Sequence, residues 1–234
     1  MSSSLYLLSK DDLNDEIVFN HIYPNDITNY YVSDDFSVET YIKLCKYGFI
    51  STSIDINNKI YLLPEIQFEY AVLHFENLHI SRKIKSLLKK DNYILKINSN
   101  VNLLLEKLEN YHKDSWLTKE YKDLIIELFS YTKSDFKMFS IELYDKNTNE
   151  LISGELGYQI LDIYTSLTGF SSKNKEYKNW GKLQMVLLAK YLQASNFAFW
   201  NLGHPYMQYK FDLGAISYKR LDFLKLFLPQ IRSF

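Results

Sequence analysis

The chain has 234 residues, enough for a large domain with its own core, and its 27 Lys and Arg against 28 Asp and Glu leave a formal charge of −1, which excludes a histone-like nucleic-acid binder. One cysteine, Cys45, excludes an intramolecular disulfide and a thiolate metal cluster. The longest apolar runs, such as Met185-Val186-Leu187-Leu188-Ala189, fall far short of the ~20 residues of a spanning helix, and the first residues have neither the basic nor the apolar part of a signal peptide, so a soluble cytoplasmic protein is expected.

Residues 1–36 lack a sustained period and read as an irregular lead-in with one or two short strands. Val38, Tyr41, Ile42, Leu44 and Cys45 then keep helical spacing up to Gly48. A strand from Phe49 to Ile54, an Asn57-Asn58 turn and a second strand, Ile60 to Leu63, follow, with Pro64 ending it. This part, residues 1–64, reads as a small mixed lobe. The stretch from Glu65 to Lys90 reads as helical, and its second half holds Arg82, Lys83, Lys85, Lys89 and Lys90 beside an apolar stripe of Ile84, Leu87 and Leu88.

Tyr93 to Ile97 is a strand candidate, and Asn100 and Thr118 are positioned to cap two helices whose apolar stripes include Leu104, Leu108, Tyr121 and Leu128. Trp116 sits on the polar connector between them. Beyond Ser134 the period changes from 3.6 to 2, predicting an antiparallel meander over Phe136 to Leu143, Leu151 to Ile160 and Ile163 to Phe170. A Lys-rich loop leads to a helix from Gly181 to Ala194, with Leu183, Leu187, Leu188 and Tyr191 on its buried side. A short strand ending at Trp200, the turn Asn201-Leu202-Gly203-His204-Pro205 and a helix from Tyr218 to Leu228 close the chain. The fold class is α+β: the small N-terminal lobe plus, over 65–234, an acetyltransferase-like (GNAT) domain with a mainly antiparallel sheet flanked by helices.

Five segments carry more information than this layout. Glu76-Asn77-Leu78-His79-Ile80-Ser81-Arg82-Lys83, Ser115-Trp116-Leu117-Thr118, Gly154 with Gly157, Tyr164-Thr165-Ser166 with Gly169-Phe170-Ser171, and Leu213-Gly214-Ala215 occur in that order. In this order and register they resemble the leucyl/phenylalanyl-tRNA–protein transferases, over about Tyr41 to Phe227. The resemblance implies transfer of an amino acid, Leu, Phe or a similar apolar one, from aminoacyl-tRNA to the N-terminal amine of an acceptor protein, which marks that protein for degradation. It calls for no cofactor and no metal, and a monomer without membrane contact is expected.

The chemistry is compatible with a site that lacks a triad. An α-amino group has a pKa of ~7.7–8.0, so much of the nucleophile is already neutral, and aminolysis of the ester rests on orientation and hydrogen bonding. In the resembling enzymes an Asp ends the strand before the Leu-Gly-Ala segment; here Asn201 stands there, with His204 close by. Leu167 stands where bacterial members place a Glu, and Glu155 is the acid that replaces it. Asn201, Glu155 and His204 are therefore the expected catalytic groups, with a plain strand-end turn as the alternative reading of His204. Trp116, Tyr164, Phe170, Ser171 and Gly203 are expected around the aminoacyl end, although Trp116, Tyr164, Phe170 and Ser171 also read as core. Arg82, Lys83, Lys85, Lys89 and Lys90 are expected on tRNA phosphates, with a solvated helix face as the plain alternative. An acyl-CoA-dependent N-acyltransferase and a non-catalytic binding protein on the same fold are the competing functions.

Overall fold

The first elements to form a recognisable unit are set by two asparagines. Asn57 and Asn58 both take positive φ, 54° and 63°, the two-residue turn that matches strand twist, and join β3 (Ile50–Ile56) to β4 (Lys59–Glu65). The structure is a computed structural model and describes residues 5–112 and 116–232. Expectations placed on Met1 to Ser4 and on Ser115 lie outside the described residues. Ahead of the hairpin come β1 (Tyr6–Leu7), α1 (Asp15–Ile17, continued by a π-helical turn), β2 (Tyr31–Val32) and α2 (Val38–Lys46). Pro64 does not end β4. It lies opposite Ser51, and counted from the turn this is a non-hydrogen-bonded position, so its missing N–H removes no rung.

The helix expected over Glu65 to Lys90 is half wrong. Its first half holds β5 (Glu69–Leu73) and a 3₁₀ turn, and only α3 (Arg82–Lys90) is helical. Tyr70, Ala71, Val72 and Leu73 are all fully buried; a strand buried on both faces shows no alternation, so its period cannot be told from that of a buried helix.

The remaining elements are β6 (Tyr93–Ile97), α4 (Val101–Tyr111), α5 (Lys119–Phe129), β7 (Phe136–Asp145), β8 (Leu151–Ile160), β9 (Ile163–Ser171), α6 (Trp180–Ala194), β10 (Phe199–Asn201), α7 (Gln208–Asp212), β11 (Ile216–Lys219) and α8 (Arg220–Arg232). Asn100 and Thr118 cap α4 and α5 as expected, each accepting from the backbone N–H three residues on. Tyr191 is exposed on α6, while Val186, Ala189 and Leu192 take the buried positions. The last helix begins at Arg220 because Ile216 to Lys219 pair with β5 as a strand.

The main sheet has the order β11-β5-β10-β9-β8-β7-β6, with β9 and β10 its one parallel pair. A β6-β7-β8-β9 meander, a crossover helix α6 and a parallel β10 make the acetyltransferase-like α+β arrangement. One core cluster joins α2, α4, α5 and α8 to the sheet and contains residues from both sides of the 64/65 position; the other packs α3 and α6 around Tyr164 and Trp200. The second face builds the site.

Candidate active site

β8 and β9 pair with a register shift at Leu156/Gly157, where Leu156 faces Thr168 and Gly157 faces Ser166. The extra residue, Leu167, is a bulge of the kind that re-aims side chains. It turns Ser166 so that its hydroxyl donates to Glu155 at 2.5 Å while accepting from Trp200 Nε1 at 2.8 Å. Tyr164 Oη donates to the same carboxylate at 3.2 Å, and Gln184 Nε2 of α6 reaches its other oxygen at 3.4 Å. Gly157 makes the Tyr164 contact possible, because a Cβ there would lie 2.3 Å from the Tyr164 hydroxyl. Burial pushes the Glu155 carboxyl up to about 7, against the pull of its three hydrogen-bond donors and of Lys210.

Lys210 is the cation whose charge acts on this acid. The short helix α7 turns its stem inward, where Nζ donates to the carbonyl oxygens of Leu202 and His204, both at 2.6 Å. Burial lowers the ammonium to about 8, and Glu155 opposes that shift. Two carbonyls flanking Gly203 are thus gripped from below, so Lys210 fixes the loop after β10 as well as supplying charge.

The expected residues are only partly brought together. Glu155 and Tyr164 meet. Asn201, one strand beyond Tyr164 in the sheet, is buried and uses its side chain internally, accepting from Gly203 N–H at 3.0 Å and donating to Thr165 Oγ1 at 3.5 Å. His204 turns away to Glu65, with Nε2 2.8 Å from Oε2, and stacks on Tyr206 at 4.9 Å. Phe170 packs near the Tyr111 ring, and Ser171 sits against Gly181 at the start of α6. Trp116 is half-buried on the other core, edge-on to Tyr121 at 5.3 Å, and its carbonyl accepts from Ser53. The cations of α3 are all exposed, and among the described residues none of the five has an ion-pair partner. Among the described residues no group of three His, Cys, Asp or Glu is placed to hold a metal, and no helix is long and apolar enough to cross a membrane.

Lys210, Gln184 and Trp200 escape the sequence reading. Nothing in Gln208-Tyr209-Lys210 distinguishes a buried lysine from the many exposed ones, and Gln184 lies on a helix face that reads as core. Ser166 stands inside one of the matched segments, but only the bulge gives it a partner.

A buried carboxyl group, a hydroxyl that bridges it to an indole N–H, and an ammonium whose charge acts on it are thus gathered on an acetyltransferase-like sheet. The family model for leucyl/phenylalanyl-tRNA protein transferase matches residues 72–227, more than half of the chain. The chain belongs to that family, and the match takes in β8, β9, β10 and α7 whole. No curated protein matches it. Among solved structures it is similar to L-PGS from Bacillus licheniformis at TM-score 0.41 and 12% identity, over 74% of this chain and 51% of that one, so it spans about half the length of that relative. FemX gives 0.45 and 12%, over 85% and 74%. A GCN5-related glucosamine N-acetyltransferase region of a fungal β-N-acetylglucosaminidase gives 0.49 and 10%, over 81% and 24%.

Proposed function

We propose that the protein transfers Leu, Phe or a similar apolar amino acid from aminoacyl-tRNA to the N-terminal α-amino group of an acceptor protein, in the cytoplasm, where the new N-terminus acts as a degradation signal. The observation that carries this reading is the Trp200–Ser166–Glu155 relay within the family-matched segment. In the reaction the neutral amine attacks the ester carbonyl carbon, a C–N bond forms and the C–O3′ bond breaks. The proton released by the attacking nitrogen passes through Ser166 to Glu155, and the same proton returns to the departing 3′-oxygen. A carboxyl near 7 suits both halves of that exchange. Lys210 keeps a positive charge beside the acid and holds the Leu202-Gly203-His204 loop, while Asn201 shapes the turn and is a positioning residue. The exposed cations of α3 take tRNA phosphates.

The test incubates the protein with tRNA charged with labelled Leu, Phe or Met and with peptides bearing basic or acidic N-termini. Label is expected on a peptide, and Glu155→Gln is expected to lower kcat by about 10²- to 10⁴-fold, the usual contribution of general acid–base catalysis. Acceptance of an acyl-CoA with no use of charged tRNA overturns the reading.

A further inference from the structure

Between α3, α6 and α7 lies a pocket of about 200 Å³ outside the relay. Its apolar lining includes Ile84, Met185 and Val186, and its polar lining includes His79, Lys182 and Asp212. Tyr209 forms one wall, with 36% of its surface exposed. We propose that this pocket receives the base of the nucleotide that precedes the charged 3′-terminal nucleoside, with the adjoining phosphate on Lys182, an inference that rests on the aminoacyl-tRNA reading above.

Three observations converge on it. First, the pocket and the relay are built on the same two elements: α6 sends Lys182, Met185 and Val186 to the pocket and Gln184 to Glu155, and α7 carries Tyr209 on the pocket next to Lys210, whose Nζ holds the Leu202 and His204 carbonyls. Burial above all, then the charge of Glu155, pushes the Tyr209 hydroxyl up. A strand whose charged end lies at Glu155 can pass along α7 to Tyr209. Second, the pocket combines an aromatic wall with a cation, the two parts by which single strands are held without sequence readout. Lys182 is bonded to Asp212 at 2.8 Å, but the two side chains are 44% and 46% exposed; such a pair contributes little and yields readily to a phosphate. Third, Ser81, at the pocket's edge, is the residue before the free cations Arg82, Lys83 and Lys85. Beyond the pocket the chain of phosphates meets continuous positive charge. The volume matches a base rather than a whole nucleotide, so one unstacked residue is held between the reacting end and the duplex.

Two substrates separate this subsite from the relay. Full tRNA charged with Phe reaches the pocket, whereas 3′-phenylalanyl-adenosine ends before it. Met185→Trp fills the space, and Lys182→Ala removes the phosphate partner. Each is expected to raise KM for charged tRNA by about tenfold, the effect of removing one stacked base or one phosphate ion pair, and to leave kcat/KM for phenylalanyl-adenosine unchanged. Equal losses on both substrates, or no loss on charged tRNA, overturn the subsite. Wild-type protein that transfers from neither substrate overturns the transfer reading instead. Lys182 is half-exposed, so its alanine variant keeps the test decisive where Met185→Trp fails to fold.

Discussion

Glu155 and Lys210 oppose one another in a way that pH can expose. Glu155 must be ionised to accept the proton, so kcat/KM rises through about pH 7, and Lys210 must keep its proton, so the rate falls above about 8. The two groups are coupled, and the apparent values belong to the pair. In Glu155→Gln the rising limb at about 7 is expected to vanish, leaving the rising limb of the substrate amine and the fall due to Lys210, moved to lower pH because Glu155 no longer raises that ammonium; a pH–rate profile against one peptide checks this. Stability moves in the opposite sense. The folded carboxyl, near 7, lies above its unfolded value, so between these values the native state binds more protons and loses stability as pH rises. Replacing Glu155 by Gln removes that loss, so relative to wild type the variant should gain on the order of 3 kcal/mol between pH 4 and pH 8, measured by urea midpoints. Asn201→Asp is milder. An Asp still accepts from Gly203 N–H and loses only the 3.5 Å donation to Thr165, so activity is expected to persist; complete inactivity would mean that the amide touches the reacting groups.

At the scale of elements, legibility followed the spacing of polar residues. α4 and α5 show a cap, a stripe and a stop, and β7 and β8, although buried on both faces, set Lys137, Ser140, Glu142, Ser153 and Glu155 among their apolar residues, so these were readable. β5 was not, because the buried run Tyr70-Ala71-Val72-Leu73 has no polar residue to mark a period. The site divided the same way: Glu155 stood out as an acid in an apolar meander, whereas Lys210 depends on a five-residue helix folding back beneath a loop, a tertiary fact with no local signal. α3 offers a prediction of its own. Ile84 holds it to the core while Lys83, Lys85, Lys89 and Lys90 face solvent, so Lys→Glu changes there should spare the fold and weaken tRNA binding. Plotted as log affinity against log salt, the slope should become shallower by about 0.7–0.9 for each phosphate no longer neutralised, with kcat at saturating charged tRNA unchanged. An unaltered slope would make these lysines a solvated face only.

At the scale of the whole molecule, Arg220 ties the N-terminal segment to the sheet. It opens α8 directly after the edge strand β11, is buried, and donates to the carbonyls of Ile66 at 2.7 Å and Gln67 at 3.1 Å, and to those of Ile22, Tyr23 and Asn25 across the chain. Its guanidinium lies 4.6 Å above the Phe68 ring. Burial lowers its pKa from the ordinary value, yet as an arginine it stays charged. Among the described residues no carboxylate pairs with it directly; carbonyl dipoles neutralise it together, and a lysine cannot span them with one nitrogen. Arg220→Lys and Arg220→Ala therefore both leave buried carbonyls unpaired, at a cost of about 2–4 kcal/mol for several orphaned acceptors. Because the cluster containing Phe223 and Phe227 also contains Tyr31, Tyr41 and Phe49, the destabilisation should be felt by both parts of the chain. Trp116 packs against that cluster and Trp200 belongs to the other, so single-tryptophan variants should report one shared urea midpoint, lowered equally by Arg220→Ala. Separate midpoints, with only the Trp116 signal shifted, would mean that Arg220 fastens a peripheral lobe to a sheet that stands without it.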